Sequence, residues 1–341
     1  MYTVGLTYDL KDDYLRRGFD KESVAELDKP ETIAAIERTL AELGYRTDRI
    51  GSLPSLIARL DRGDRWDLVF NICEGLHGYG REAQVPALLD AYRIPYTFSD
   101  PLTLAVTLHK ATAKRIVRDL GVPTPEFAVV ETVGDVARVG LEPPLFVKPV
   151  AEGSSKGITE RSVVHRKKDL APVCEEILRL YRQPVLVEAF LPGREFTVGM
   201  LGTAGAAEVL GVMEIRLRKA ATSLSYSLEI KSAENYRAYI DYALCADPEL
   251  ARECEAVAIA AWRALGCRDA GRVDLRCDAV GRPMFMEVNP LAGLNPIDSD
   301  LLILADLLDV SYQQIIGRIM ASAEARTDLP TTTAVRRAAM R

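Results

Sequence analysis

The chain has 341 residues, 48% of them hydrophobic, and a formal net charge of −6 at pH 7. This length and composition predict a soluble globular protein with several sub-domains. The negative charge argues against nucleic acid as the main partner, and no apolar run is long enough to cross a bilayer. The N-terminus lacks the basic region of a signal peptide, and the six cysteines form no C-x-x-C pair, which favours reduced thiols in a cytoplasmic protein.

The first hundred residues alternate between strand-like and helix-like patterns. Strands are predicted at Thr3–Thr7, Tyr45–Ile50, Asp67–Asn71 and Ile94–Phe98, and helices at Pro30–Leu43, Leu53–Leu60 and Glu82–Ala91. This alternation favours a mostly parallel sheet covered by helices, so residues 1–100 are predicted to form an N-terminal α/β domain. The segment Lys11–Lys29 is charged and poor in apolar residues, which predicts either a mobile loop or an irregular cover.

The remaining sequence predicts a small unit followed by a larger one. A helix from Leu102 to Leu120 is expected to end at Gly121-Val122-Pro123, a strong stop signal. A short pattern of strands and one helix follows, so residues 101–191 are predicted to be a linking helix and a lid sub-domain. Residues 192–325 are predicted to form a larger sub-domain and residues 326–341 a loosely held tail. The predicted strands of the larger sub-domain lie near Phe196–Leu201, Val209–Ile215, Gly271–Arg276 and Met284–Val288.

Polar side chains alternate along the last two of these strands. Arg272 and Asp274 point to the same side of one strand, as do Glu287 and Asn289 on the other. If the strands are neighbours, two carboxylates, a carboxamide oxygen and a guanidinium come together. Such oxygen ligands suit Mg²⁺, and Arg272 could stabilise an oxyanion. The alternative is an amphipathic hairpin with a polar outer face.

A glycine- and serine-rich segment follows a lysine that ends an apolar strand. Lys148 is followed by Glu152-Gly153-Ser154-Ser155-Lys156-Gly157, a loop whose backbone N–H groups and hydroxyls could wrap phosphate oxygens. The segment is neither a Walker A sequence nor a G-x-G-x-x-G turn. A glycine-rich hairpin turn without a ligand is the alternative.

Two glutamates flank the next turn. Glu188 ends an apolar strand, and Glu195 follows the turn at Pro192-Gly193. An adenine can be held by one side-chain acceptor and the backbone of an extended linker, while a second carboxylate receives the ribose hydroxyls. Taken singly, each glutamate is better explained as a solvated surface residue.

In this order the segments resemble the ATP-grasp superfamily, and within it they are most similar to the D-alanine–D-alanine ligases. The similarity runs from about Asp67 to Leu301. His77-Gly78 with Gly80-Arg81-Glu82 is similar to the ligases' H-G-x-x-G-E segment, with Arg81 as one extra residue. The other matching segments are His109-Lys110, Lys148 to Gly157, Glu188 to Glu195, Tyr226 with Glu229 and Lys231, Gly271 to Asp274, and Glu287 to Asn289.

The resemblance implies an α/β architecture in which ATP lies between the lid and the larger C-terminal α+β domain. Its phosphates would be contacted by Lys110, Lys148 and Lys231 and covered by the loop of Glu152, Gly153, Ser154, Ser155 and Gly157. Adenine and ribose would be bound by Glu188, Phe190, Leu191, Met286 and Glu195. Two Mg²⁺ ions, for which Mn²⁺ can substitute, would be held by Asp274, Glu287 and Asn289.

The resemblance also implies the reaction. A substrate carboxylate attacks the γ-phosphate of ATP, and an amine then displaces phosphate from the acylphosphate to form an amide. Arg272 and the Gly293 backbone would stabilise the tetrahedral intermediate, with Ser154 and Tyr226 in the catalytic set and His77 lining the substrate cleft. A homodimer through the first domain is a further expectation, with small-molecule carboxylates and amines as substrates.

Two departures from the ligases fall on substrate recognition. The G-G-x-S-x-E segment after their first strand, whose glutamate handles an amino group, is missing, and Asp12 or Asp13 is the candidate replacement. Where the ligases place a serine for the second substrate's carboxylate, this chain has Asp298, and Ser299 could take over by a shift of one residue. An aspartate would repel a carboxylate or attract a cationic amine.

These departures predict a carboxylate–amine ligase whose substrate is larger, cationic or presented by a peptide or biosynthetic intermediate. Three alternatives remain open at the level of the sequence. They are an authentic D-alanine–D-alanine ligase, a non-catalytic ATP-binding regulatory protein, and a carboxylating enzyme that uses bicarbonate.

Overall fold

The computed structural model describes residues 2–217 and 240–327, together with residues 329 and 338. The described strands form three sheets, of three, four and five strands. None of the helices in these ranges is both long and apolar enough to cross a membrane.

The N-terminal sheet is parallel, as predicted. Its strands β1 (Thr3–Tyr8), β2 (Arg46–Gly51) and β3 (Leu68–Ile72) have the order β2-β1-β3, and the helices α1 (Lys11–Arg16), α2 (Pro30–Glu42), α3 (Leu53–Asp61) and α4 (Gln84–Ala91) accompany them. All five residues of β3 are buried, which explains why its sequence is a continuous apolar run with a single asparagine.

The predicted strand Ile94–Phe98 is wrong. This segment joins the sheet only through a single bridge between Tyr96 and Val69. At Phe98 the backbone turns into the left-handed region, with φ of +70°, and its N–H donates to Asp269 at 2.7 Å. The carboxylate of Asp269 therefore accepts from the Phe98 N–H, which in a strand would donate to the carbonyl of a neighbouring strand.

The segment Lys11–Lys29 is a cover, which decides between the two alternatives left by its sequence. Tyr14, Val24 and Leu27 are buried and form a small apolar cluster of their own. The backbone N–H of Asp28 donates to the carbonyl of Asp9, which ties the end of this segment back to the end of β1. We call residues 11–29 the N-terminal cover.

The predicted helix Leu102–Leu120 is two helices, α5 (Pro101–Leu108) and α6 (Lys110–Asp119). His109 leaves the helical conformation with ψ of 87°, and its Nδ1 accepts a hydrogen bond from the backbone N–H of Thr112. The histidine therefore caps a new helix. The break also lets the backbone N–H of Lys110 donate to the carbonyl of Val150 at 2.9 Å, beside the glycine-rich loop.

The second sheet carries the predicted lid. Its antiparallel strands β4 (Phe127–Val130), β5 (Leu145–Pro149), β6 (Val163–Val164) and β7 (Val185–Ala189) have the order β4-β7-β5-β6. Helix α7 (Leu170–Tyr181) packs on them through Leu170 and Ile177, which share a buried cluster with Val147 and Val187.

The third sheet carries the polar strands and is antiparallel. Its strands β8 (Glu195–Leu201), β9 (Glu208–Leu217), β10 (Ile240–Leu244), β11 (Ala270–Cys277) and β12 (Pro283–Asn289) have the order β10-β9-β8-β11-β12. Helix α8 (Pro248–Ala264) covers one face, and its Trp262 is fully buried in the cluster that holds Phe196 and Phe285.

The last two helices connect this sheet to the N-terminal one. Helices α9 (Asp300–Leu307) and α10 (Tyr312–Ala325) bring Leu301, Ile315 and Ile319 into one apolar cluster with Leu6 and Phe70 of the N-terminal sheet. Residues of the predicted larger sub-domain therefore share a core with the predicted first domain. The domain limits at residues 100, 191 and 325 stay predictions.

Candidate active site

The two polar strands β11 and β12 are neighbours, which is the condition under which their polar side chains were expected to come together. In this pair, which we call the polar hairpin, Arg272 lies opposite Asn289 and Asp274 lies opposite Glu287. The register shifts between Asp274 and Leu275, so the paired alternation holds on the side of the bulge that carries the polar residues.

Hydrogen bonds hold the oxygen atoms of the polar hairpin in place. Thr197 on β8 donates its hydroxyl to one carboxylate oxygen of Asp274 at 2.9 Å, and the Asn289 amide nitrogen donates to the other at 3.1 Å. Because the amide nitrogen of Asn289 donates to Asp274, its amide oxygen is the atom that could coordinate a cation.

The donor set fits Mg²⁺ that is shared with phosphates. The described residues contain no group of three or more His, Cys, Asp and Glu side chains that could hold a metal ion. Two carboxylates and an amide oxygen would leave most of an octahedral shell to water and phosphate oxygens, which is how Mg²⁺ usually binds in nucleotide sites. Asp274, Glu287 and Asn289 would hold such an ion.

Lys110 joins the polar hairpin to the glycine-rich loop. Its ammonium lies 3.4 Å from the carboxylate of Glu287 and donates to the backbone carbonyl of Glu152. The side chain is 8% exposed. A cation between a metal-type carboxylate and a glycine-rich loop is well placed to contact a phosphate bound between them.

Residues 152–157, the glycine loop, form a turn with left-handed backbone angles. Ser154, Ser155 and Gly157 have positive φ angles of 47°, 59° and 75°. A Cβ added at Gly153 would lie 1.9 Å from the carboxylate of Glu26, so the N-terminal cover closes directly onto the loop. The backbone N–H of Lys156 closes the turn by donating to the carbonyl of Gly153 at 2.9 Å, and the binding of phosphate by this loop stays a prediction.

Lys156 points into this contact and is only 8% exposed. Its ammonium lies 3.0 Å from Glu26 and 2.8 Å from Glu152. Burial alone would lower the pKa of Lys156, but the two carboxylates outweigh it and raise the pKa above its ordinary value.

Glu188 lies between two buried lysines. Its carboxylate is 2.9 Å from the ammonium of Lys148 and 3.0 Å from that of Lys114, and it is 1% exposed. Burial acts to raise the pKa of Glu188, but the two ammonium groups outweigh it and hold the pKa below its ordinary value. In this structure the glutamate expected on adenine is therefore also the counterion of the lysine expected on phosphate.

The hinge after Glu188 holds the remaining residues expected around adenine and ribose. The Phe190 N–H donates to the carbonyl of Pro144, and the Arg276 guanidinium lies 5.5 Å from the Phe190 ring centre. Arg276 also lies 3.3 Å from Glu195. Leu191 is buried and Met286 is half-buried on β12.

A cavity of about 1000 Å³ opens between the N-terminal cover, the glycine loop and the polar hairpin. Ten residues expected in the site line it: Lys110, Glu152, Gly153, Ser154, Arg272, Glu287, Asn289, Gly293, Asp298 and Ser299. Side chains from four distant parts of the chain therefore converge on one space.

Arg272 and the loop after β12 form one wall of this cavity. The guanidinium lies 2.9 Å from Asp300 and 3.4 Å from Asp274. A Cβ added at Gly293 would be 2.9 Å from the hydroxyl of Ser299, so that hydroxyl lies against the glycine backbone. Asp298 is instead 3.2 Å from Lys29 of the N-terminal cover, which offsets its charge.

Two residues predicted on the substrate side are not among those that line the cavity. The side chain of Asp13 is half exposed and pairs with Arg16, because α1 turns it to solvent. His77 is exposed, and its ring lies 6.2 Å from the ring of Phe19. Neither is placed as a substrate ligand. Tyr226, Glu229 and Lys231 lie outside the described residues.

The cavity also holds carboxylates that sequence reasoning missed. Glu26, Glu74 and Glu82 line it. Burial raises the pKa of Glu82 to about 7, and burial together with Glu82 raises the pKa of Glu74 well above its ordinary value. Glu82 belongs to the Gly80-Arg81-Glu82 segment that resembles the ligases, so the sequence could have indicated it as a site residue. Glu26 lies in a segment without periodicity and has no such indication.

Comparisons with known proteins show which proteins this chain is similar to. The family model described as D-ala D-ala ligase C-terminus matches residues 116–321. The uncharacterized protein y4sG of Sinorhizobium fredii is 34% identical over 264 residues, which are 76% of this chain and 75% of that protein. A D-alanine–D-alanine ligase of Aquifex aeolicus is 32% identical over 268 residues, which are 77% of this chain and 84% of the ligase.

Solved structures extend the likeness to almost the whole chain. The D-alanine–D-alanine ligase from Bacillus anthracis complexed with ATP has a TM-score of 0.71 at 21% identity, covering 96% of this chain and 98% of that chain. The VanG D-Ala:D-Ser ligase from Enterococcus faecalis has a TM-score of 0.72 at 20% identity, covering 94% and 99%. At these identities the likeness confirms the fold expected from the sequence and leaves the substrate to the site itself.

Proposed function

Because this chain belongs to the D-alanine–D-alanine ligase-like family of ATP-grasp proteins, we propose that it activates a carboxylate with ATP and joins it to an amine. The main support is that Arg272, Asp274, Glu287 and Asn289 meet on one hairpin, next to the cavity that the glycine loop lines. A protein that only bound ATP would have no need of this complete set.

When bound, ATP supplies the phosphoryl group that activates the carboxylate, and Mg²⁺ screens the charge on its phosphates. Lys110 and Lys148 would hold the phosphates, and the glycine loop with the N-terminal cover would keep water from the activated carboxylate. Arg272 and the Gly293 backbone N–H would stabilise the oxyanion that forms when the amine attacks.

Glu26 is our candidate for the group that binds the amino end of the first substrate. It lines the cavity against Gly153 and so replaces Asp13 in that role. Its charge is shared with Arg81 and Lys156, each at 3.0 Å. Both cations contact the same oxygen, Oε2, and fix the carboxylate in place, so Oε1 is the oxygen that would accept a hydrogen bond from a substrate amino group.

The substrate is proposed to carry a cationic group. The cavity of about 1000 Å³ includes the expected phosphate and metal site as well as the space for the substrate, so its volume is an upper limit on the size of the substrate. Glu74 and Glu82 line it, and neither lies within ion-pair distance of a cation among the described residues, although the charge of Arg81 acts on both. Burial raises the pKa of Glu82 to about 7, so above that pH its carboxylate is charged and would attract a substrate ammonium or guanidinium.

An authentic D-alanine–D-alanine ligase is the second candidate, and one observation favours it. The hydroxyl of Ser299 lies against Gly293, while Lys29 offsets the charge of Asp298. Ser299 could therefore bind the carboxylate of the second substrate, one residue further along the chain than the position where the ligases place their serine. Asp298 is then less of an obstacle than its sequence position indicates.

The deciding experiment is Mg-ATP-dependent phosphate release with L- and D-amino acids, singly and in pairs, followed by mass spectrometry of the products. The panel includes amino acids with a side-chain amine or guanidinium and their dipeptides. An amide product with one ADP per bond would establish the ligase and identify both substrates. ATP binding without ADP release for any pair would favour a non-catalytic role, and D-alanyl-D-alanine as the preferred product would reject the cationic substrate.

A further inference from the structure

Lys114 is a fully buried lysine that the proposed chemistry does not use. It lies one helical turn after Lys110 on α6, and its side chain has no exposed surface. Burial of an ammonium group costs free energy unless hydrogen bonds and an opposite charge offset the loss of water. The partners of Lys114 should therefore show why a charged group is buried at this position.

Lys114 donates hydrogen bonds to Thr124 and Phe285, and it forms an ion pair with Glu188 that lacks hydrogen-bond geometry. Its ammonium lies 3.0 Å from the Glu188 carboxylate, 3.0 Å from the hydroxyl of Thr124 and 3.0 Å from the carbonyl of Phe285. The three partners come from the end of β7, the loop before β4 and strand β12. Lys114 therefore connects the lid to the strand that carries Glu287 and Asn289.

The carboxylate of Glu188 is shared between Lys114 and Lys148, which lies 2.9 Å away and is 5% exposed. Two ammonium groups and one carboxylate leave an excess of one positive charge beside the expected phosphate site. If Lys114 were neutral, Lys148 would be the only counterion of Glu188. Drawing Lys148 toward a phosphate would then leave a buried carboxylate without a partner, which is strongly unfavourable.

We propose that Lys114 is a positioning residue, the permanent counterion of Glu188 that frees Lys148 to bind the phosphates of ATP. This inference rests on the proposed function, because it assumes that the lid binds ATP. Lys114 itself would not touch the nucleotide. It would act by keeping Glu188 satisfied in both the free and the ATP-bound protein.

The test measures equilibrium binding of Mg-ATP to the full chain and to the variants Lys114→Met, Lys114→Arg, Glu188→Gln and Lys114→Met with Glu188→Gln. Lys114→Met is expected to weaken ATP binding at least about tenfold, whereas Lys114→Arg should stay close to the wild type. Glu188→Gln removes the charge that needs a counterion but also alters the expected adenine contact, so the double variant should bind Mg-ATP about as well as Glu188→Gln alone, with no further loss from Lys114→Met. A merely structural role for Lys114 would not show this dependence on Glu188.

The outcomes separate the two ideas. Failure of the wild type to bind Mg-ATP would reject the proposed function. Normal binding by the wild type with no weakening in Lys114→Met would overturn the role of Lys114 alone. So would a double variant that binds Mg-ATP clearly more weakly than Glu188→Gln does. Circular dichroism and thermal unfolding of each variant exclude misfolding as the cause.

If Lys114→Met does not fold, a pH series on the wild type and Lys114→Arg replaces it. Burial, only partly opposed by Glu188, lowers the pKa of Lys114 to about 8, while Lys148 and Glu287 are the other charges that face it. ATP affinity of the wild type should therefore fall as the pH rises through about 8, and that of Lys114→Arg should not. Identical pH profiles would reject the proposal.

Discussion

The carboxylate of Glu26 lies 3.0 Å from the ammonium of Lys156, a contact that joins the N-terminal cover to the glycine loop across 130 residues of sequence. The same carboxylate lies 3.0 Å from Arg81. Three distant segments thus meet at one buried group beside the expected phosphate site. Substrate binding under the cover and closure of the loop over ATP are therefore expected to depend on the same residue.

Glu26→Gln should raise the KM for the first substrate by about tenfold or more, because the amide lacks the charge that an ammonium group needs. The KM for ATP should change less, since the lysines of the lid remain. Asp13→Asn is the matched control, since Asp13 belongs to the same cover but pairs with Arg16 at the surface. Steady-state kinetics with each substrate varied would check this, and a larger effect of Asp13→Asn would return the role to that residue.

Asp274→Asn should reduce turnover by at least about a hundredfold while leaving the fold intact. The change removes one of two carboxylates from the polar hairpin but preserves the hydrogen bond that Thr197 donates to the side chain. Phosphate release at saturating ATP and Mg²⁺ measures the effect.

Asp278→Asn provides the control for this prediction. Asp278 lies in the turn of the same hairpin, where it pairs with Arg282 at 2.8 Å, and its loss should leave turnover unchanged. Substantial activity in Asp274→Asn would show that the metal ligands have been assigned to the wrong residues.

Local patterns predicted the polar hairpin because its geometry follows from alternation along two strands. Arg272 and Asp274, like Glu287 and Asn289, needed only a period of two and neighbouring strands, and the register confirms both. The parallel N-terminal sheet was likewise predictable from a local pattern, the alternation of strands and helices along the chain. Tyr226 and Lys231 stay predictions.

What the sequence did not reveal depends on contacts between distant segments. Glu26 and Lys114 have partners at separations of 130 and 171 residues, and neither stands in a periodic pattern that points to them. The break at His109 was hidden because a histidine in a helical pattern carries no stop signal until its ring accepts from Thr112. Asp13 follows the first strand closely in sequence, but its side chain is half exposed and pairs with Arg16 at the surface.

Ser299→Ala is expected to raise the KM for the amine substrate by about tenfold, whereas Asp298→Asn should have a smaller effect. The Ser299 hydroxyl lies against Gly293, where the acceptor carboxylate would bind, while Asp298 pairs with Lys29 at the cavity edge. Acceptor KM values for the two variants, measured at saturating ATP, give the comparison. A dominant effect of Asp298→Asn would instead support recognition of a cationic amine by that aspartate.

Binding of a cationic substrate should strengthen as the pH rises through about 7. Burial, reinforced by Glu26 and opposed by Arg81, raises the pKa of Glu82 to about 7, so this carboxylate is protonated below that pH and charged above it. Only the charged form attracts an ammonium or guanidinium group, and therefore the KM for such a substrate should fall across this range.

Glu82→Gln should remove this pH dependence and leave the KM high at every pH, because the amide cannot ionise. Glu249→Gln on the exposed start of α8 serves as the control, since it changes the net charge equally far from the cavity. KM measured against pH for a cationic and an uncharged substrate of similar size distinguishes the charge effect from a general loss of activity. The charge on Glu82 should affect the KM of the cationic substrate and not that of the uncharged one. If the KM of both substrates varies with pH in the same way in the wild type, Glu82 does not bind a cationic group.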